Sequence, residues 1–184
     1  IGLGLIGGSF ARAIRQHNIA DKIFAFDNNI ETVSTAKNIG IIHEFQPLDN
    51  NLGSFDLIVI ASPLSSYQEI LAKISAAECQ NTVFIDLGSL KEHVIKLLPT
   101  NLQKNFIACH PIAGSDKTGF ESSSAELFFD KKFVICKTKN NDEKFLKIVE
   151  NVVGKIGAKI DFLDAKAHDE IYGLVSHLPQ FLSF

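Results

Sequence analysis

Short apolar runs alternate with stretches of helical spacing along nearly the whole chain. The runs at 22–27, 41–45, 56–61, 82–87, 106–109, 132–137 and 159–163 read as strands. The segments between them at 7–17, 29–39, 65–77, 90–98 and 142–156 read as helices. Asp56-Leu57-Ile58-Val59-Ile60-Ala61 is apolar without a break after its first residue, as expected of a strand covered on both faces. Such strands alternating with helices predict an α/β fold with a doubly wound, mostly parallel sheet. No repeat, low-complexity segment or flexible linker interrupts the pattern. The one long irregular stretch, 110–130, opens where a strand ends. Ligands of open α/β sheets bind beyond the carboxyl ends of strands. Functional residues are therefore expected in the loops after Ile1, Asp27, Ala61, Leu87 and Cys109.

The first of these loops, Ile1-Gly2-Leu3-Gly4-Leu5-Ile6-Gly7-Gly8, carries a GxGxxG pattern at a strand-to-helix junction. Gly2 permits the tight turn, Gly4 lets backbone approach a pyrophosphate, and Gly7 lets the helix pack on the strand. The N–H groups that follow, from Leu5 and Ile6 onward, suit phosphate charge at a helix start. A second strand, Lys22-Ile23-Phe24-Ala25-Phe26, ends in Asp27, placed to accept hydrogen bonds from an adenosine ribose. Together these predict a Rossmann-type dinucleotide site, with Asn28 beside Asp27 and Ser62-Pro63 as a further wall. The bland reading of Ser62-Pro63-Leu64-Ser65-Ser66 is a helix cap and turn. A carboxylate repels a 2′-phosphate, and no lysine or arginine follows Asp27 before Lys37, so NAD is expected over NADP.

The totals narrow the class further. The 184 residues make one domain, or one domain and a piece of another. A net charge of −3 supplies no basic field for nucleic acid or an anionic membrane surface. No apolar run approaches the ~18 residues of a membrane span. Cys79, Cys109 and Cys136 are odd in number and widely spaced, which suits a reducing, cytoplasmic setting. The opening inside a strand and the apolar close, Phe181-Leu182-Ser183-Phe184, read as a piece of a longer chain.

Among the six histidines, His110 alone sits at a strand end facing the expected cleft, which makes it the candidate general base. His17 and His93 fall in helix patterns and His43 near a short strand. Ser89 ends the neighbouring strand. It reads either as the N-cap of a capping box with Glu92, or as a group orienting His110 or a substrate hydroxyl. A serine hydrolase is disfavoured because no GxSxG elbow is present. A Cys109–His110 dyad is disfavoured because adjacent strand residues point to opposite faces. His168-Asp169 and His177 lack metal-site spacing, and no metal is expected.

Three segments together resemble the prephenate/arogenate dehydrogenase family. They are His110-Pro111-Ile112-Ala113-Gly114-Ser115-Asp116-Lys117-Thr118-Gly119, Asp86-x-Gly88-Ser89-x-Lys91, and His168-Asp169…Ser176-His177-Leu178-Pro179. The resemblance implies a dinucleotide-binding domain over 1–163. It implies that 164–184 begins an all-helical dimerisation and substrate domain, truncated here. It also implies NAD-dependent oxidative decarboxylation of prephenate, or arogenate, with His110 as catalytic base and Ser89 orienting it. Ser115, Asp116, Lys117, His177 and Gln180 are the implied substrate contacts, and a homodimer the implied assembly. Asp116 stands where the family often has Glu, and Gln180 where it often has a second histidine. Arg12 and Arg15, the chain's only arginines, fall on the first helix, so the family's substrate-binding arginine has no counterpart here. Two other readings stay open: another NAD-dependent hydroxy-acid dehydrogenase, and a non-catalytic NAD-binding regulatory module.

Overall fold

In a computed structural model, which describes residues 1–48 and 51–173, the apolar runs form strands and the periodic segments form helices between them. The elements in chain order are α1 (Leu5–Gln16), β1 (Phe24–Ala25), α2 (Ile30–Asn38), β2 (Glu44–Phe45), β3 (Leu57–Ile60), α3 (Tyr67–Ala76) and β4 (Val83–Asp86). There follow α4 (Lys91–Leu97), β5 (Phe106–Pro111), β6 (Lys132–Cys136), α5 (Glu143–Lys155), β7 (Lys159–Phe162) and α6 (Ala165–Tyr172).

β1 and β2 pair in parallel, and a five-stranded sheet runs β3-β4-β5-β6-β7. All pairs of the larger sheet are parallel except β5 with β6. The residues before the glycine turn look too few to pair from sequence, yet they bridge the two sheets. The Ile1 amino group donates to Val59 O, Ala61 N to Ile1 O, and Gly2 N to Phe26 O, at 2.7–2.8 Å. Ile1 and Gly2 thus stand between β1 and β3, where the strand order reverses. That crevice is where a doubly wound sheet binds its ligand.

Alternation along the strands sorts side chains to two helical layers. Val83, Ile85, Ile107, Cys109, Phe133 and Ile135 pack with Phe10, Ile14, Phe145, Val149 and Val153 of α1 and α5. Ile58, Ile60, Phe84 and Phe106 face the other way, onto Tyr67, Ile70, Leu71 and Ile74 of α3 and Val94 of α4. With apolar partners on both sides, the strands need no polar face, which explains their unbroken apolar character. Ala108, Val134 and Cys136 meet Leu163, Ala165 and Tyr172 around the start of α6. α6 begins with Asp164, whose side chain accepts from Ala167 N at 2.9 Å.

The irregular stretch after β5 is pinned rather than loose. The Arg12 guanidinium lies 4.7 Å from the Phe120 ring centroid, and Arg12 Nε donates to Ser123 Oγ at 2.7 Å. These contacts tie the loop to α1 and commit Arg12 to a structural task.

Candidate functional site

The turn between Ile1 and α1 needs its glycines. Gly2 adopts φ +89°, and a Cβ there would lie 2.6 Å from Ala61 O. A Cβ on Gly7 would lie 1.9 Å from Gly2 O, so only glycine lets α1 approach the turn. At Gly4 the same position opens into free space. Gly4 is also the N-cap of α1, with no side chain capping it and no acidic residue in the first turn. The first-turn N–H groups have no partner inside the helix, and the macrodipole adds positive potential. This is a cradle for an anion. Asp27 holds it in shape, its Oδ2 accepting from Leu3 N at 2.6 Å and its Oδ1 from Asn29 N at 2.8 Å.

A cleft of about 850 Å³ opens over this turn. Gly2, Gly4, Leu5, Ile6, Asp27, Asn28, Ser62, Pro63 and Ser89 line it, together with His110, Ser115 and Lys117. Gly7 lies behind the wall, where it packs the helix on the turn. Asp116 is exposed and off the wall, its Oδ1 accepting from the Ser115 hydroxyl at 3.0 Å. His177 and Gln180 lie outside the described residues. Ser62 caps no helix; its hydroxyl donates to Ile1 O at 3.4 Å. A second space, about 880 Å³, lies between α1, β1 and β3 behind walls such as Phe10, Ile14, Phe24 and Leu57. Its described walls include no histidine or cysteine, so the chemistry is concentrated in the first cleft.

His110 sits near the end of β5, half-buried, on the face opposite Cys109. Cys109 is fully buried in the apolar core, and burial pushes its thiol well above the ordinary range, so it is no nucleophile. What meets the His110 ring is His168: Nδ1 of His110 lies 2.8 Å from Nε2 of His168, with ring centroids 5.0 Å apart. His168 Nδ1 in turn lies 2.7 Å from Asp169 Oδ1. Tyr172, one turn along α6, sets its ring tilted 4.9 Å from His168 and edge-on 5.7 Å from His110.

Ser89 shares the cleft with His110, and the alternative reading of it as the cap of α4 does not hold. Leu90 holds the cap position of α4 without a side-chain bond. Asp169 supplies the acceptors instead, taking Lys91 N on Oδ1 at 2.8 Å and Glu92 N on Oδ2 at 2.9 Å. Burial pushes the Asp169 carboxyl up. The Lys91 N–H, the His168 ring and the Glu92 N–H outweigh it and hold the carboxyl below the ordinary value. Beneath Ser89, the fully buried Lys91 ammonium joins Asp86 Oδ2 and donates to Cys109 O at 2.5 Å. Asp86 also accepts from Cys109 N at 3.2 Å, Gly88 N at 3.2 Å and Tyr67 OH at 3.4 Å. This cluster locks the ends of β4 and β5 together and so sets where His110 stands.

His168 and Asp169 have no signal in local spacing; their one trace in the sequence is the His-Asp dipeptide within the family-like segment. The fully buried His168 ring is pushed by desolvation below the ordinary 6.5, and Asp169 only partly opposes this. Unfolded, His168 takes its proton near 6.5; folded, it does so only at lower pH. Between those values the unfolded chain binds the extra proton, so folding stability falls as pH drops through about 6.5. Thermal melts across that range should show the decline, and His168→Gln should flatten it. A variant that declines as steeply as the parent assigns the pH dependence to other groups.

Among the described residues, no group of three or more His, Cys, Asp or Glu is placed to hold a metal ion. Nor is any described helix long and apolar enough to cross a membrane.

The model of the family described as prephenate dehydrogenase, nucleotide-binding domain, matches residues 10–162. The chain is 33% identical to a prephenate dehydrogenase of Lactococcus lactis, across all of this chain and 51% of that protein. It is 28% identical to a cyclohexadienyl dehydrogenase of Zymomonas mobilis, across all of this chain and 64% of that protein. The crystal structure of prephenate dehydrogenase from A. aeolicus, in complex with hydroxyphenyl propionate and NAD+, aligns with a TM-score of 0.92 at 35% identity. That alignment covers all of this chain and 65% of that one. The chain therefore spans 51% to 65% of the length of these relatives.

Proposed function

Because this chain belongs to the prephenate dehydrogenase family, we propose that it is the NAD-binding part of an enzyme that oxidatively decarboxylates prephenate to 4-hydroxyphenylpyruvate. The observation that carries the reading is that one cleft contains both the uncapped glycine turn with Asp27 and the imidazole of His110. A non-catalytic nucleotide-binding module has no use for a histidine there. A similar relative named cyclohexadienyl dehydrogenase favours arogenate as the second substrate to test.

The residues divide the work as follows. Gly2, Gly4, Leu5 and Ile6 present backbone to the pyrophosphate, Gly7 packs α1 behind them, Asp27 and Asn28 take the adenosine ribose, and Ser62, Pro63 and Ser89 wall the cleft. NAD, when bound, supplies the hydride acceptor. His110 accepts the proton of the substrate's ring hydroxyl, and loss of carbon dioxide then makes the ring aromatic. Ser89 helps to hold that hydroxyl. Ser115, Asp116 and Lys117, with His177 and Gln180, receive the side chain and carboxylates. Lys117 brings a point charge rather than the bidentate fork of an arginine, and Arg12 is held on Phe120. We assign residues 1–163 to the dinucleotide-binding domain and 164–184 to the opening of a helical domain. That domain completes the site and pairs two copies of a cytoplasmic enzyme.

The direct test is to follow NADH absorbance with the full-length protein. Prephenate with NAD should give turnover, and NADP far less, because Asp27 meets its 2′-phosphate with no nearby cation. Turnover with arogenate alone moves the assignment to that substrate. Turnover with a β-hydroxyacid alone, or NAD binding with no turnover on any of the three, overturns it.

A further inference from the structure

We propose that His168 and Asp169 are positioning residues for His110, forming a relay that decides which of its nitrogens carries the lone pair and shares the charge once a proton arrives. The proposal rests on the reading of His110 as the base and adds to it.

The hydrogens follow from one anchor. The Asp169 carboxylate is ionised and can only accept, so His168 Nδ1, at 2.7 Å, must donate to it. A neutral His168 then has its lone pair on Nε2. His110 Nδ1, 2.8 Å away, must donate to that lone pair. His110 is left with its proton on Nδ1 and its lone pair on Nε2. The opposite tautomer would set two lone pairs against each other across the same distance. Orientation of one imidazole by the partner of its other nitrogen is a general device.

The same chain handles the charge. When His110 Nε2 gains a proton, the Nδ1–H bond of His110 can break as an N–H bond forms on His168 Nε2. The positive charge then lies directly against Asp169, with no proton gained or lost overall. Among the described residues, the charged groups acting on His168 are Asp169 on its own helix, Lys91 on α4 and Asp86 on β4. Lys91 opposes a charged His168, and Asp86, paired with it, offsets part of that effect. Asp169 is the carboxylate that opposes, in part, the burial penalty on a charged His168. It is held in register by the Lys91 and Glu92 N–H groups, so the far end of the relay is built on α4.

The decisive measurement is imidazole 15N NMR of the full-length protein without substrate, since the shifts distinguish a protonated ring nitrogen from a lone-pair one. His110 should show a protonated Nδ1 and a lone-pair Nε2. Asp169→Asn and His168→Phe should turn that state into a mixture or its opposite. Turnover should fall by about 10–100-fold, the range known for removing a partner that orients a metal-bound imidazole, with KM for NAD little changed. His168→Gln should recover most of the rate lost in His168→Phe, because an amide can accept from His110 while donating to Asp169. The His168 variants leave the Asp169 cap on α4 intact, so they separate the relay from folding. If both disruptive variants keep the parental tautomer and rate while His110→Asn is inactive, the relay is wrong and the base stands. If His110→Asn retains full turnover, the base reading itself fails.

Discussion

Replacing His110 with asparagine should lower the turnover of the full-length enzyme by about 10²–10⁴-fold, the range general-base assistance supplies. Asparagine is the informative choice because its amide can still donate toward His168 Nε2, which keeps the α6 contact and the shape of the cleft. What it lacks is a nitrogen that can take a proton near neutral pH. The missing interaction belongs to the transition state and not to bound cofactor or substrate. The loss should therefore fall on kcat and on kcat/KM alike, with affinity for NAD nearly unchanged. Steady-state kinetics combined with a nucleotide titration read both quantities. Parental turnover in this variant removes His110 from the chemistry.

Lys91→Met should destabilise the domain by about 3–5 kcal/mol, the usual cost of leaving one partner of a buried ion pair uncompensated. For a chain of this size that is a fall in Tm of roughly 6–20 °C. Neither side chain of the Lys91–Asp86 pair is exposed. Burial pushes the Asp86 carboxyl up, and the Lys91 ammonium, its hydrogen bond, and the Cys109 and Gly88 N–H groups pull against it. Without the ammonium, Asp86 must stay charged in a dry site or take up a proton on folding. The Cys109 carbonyl also loses its donor. The double variant Asp86→Asn/Lys91→Met should regain part of the loss, because it removes the charge while an amide oxygen still accepts. Denaturation of the parent, single and double variants measures this coupling. A single variant that melts with the parent rules it out.

Much of the architecture was legible along the chain. Runs such as 82–87 and 106–109 became β4 and β5 with small changes at their ends, because side-chain period and burial are local properties. The cleft was legible too. A glycine turn opening a helix, Asp27 closing the next strand, and His110 at a strand end converge at one edge of any sheet of this topology. Other features were not local. Ile1 completes the sheet through backbone bonds to Val59 and Ala61, and no residue pattern announces strand pairing from so short a segment. One of the two readings of Ser89 was a cap on α4, but Asp169, 78 positions after Lys91, takes the helix's first N–H groups. His168 reaches His110 across 58 positions.

The sequence by itself thus determined the α/β class, the glycine turn that opens α1, the carboxylate beside it and the histidine at the cleft. Periodicity, glycine and strand ends act over a few residues, and this topology brings those ends to one edge. Only the tertiary structure decided which groups meet that histidine. Those choices depend on side chains from β4, α4, β5 and α6 meeting at hydrogen-bonding distance, and such distances exist only once the helices have packed on the sheet.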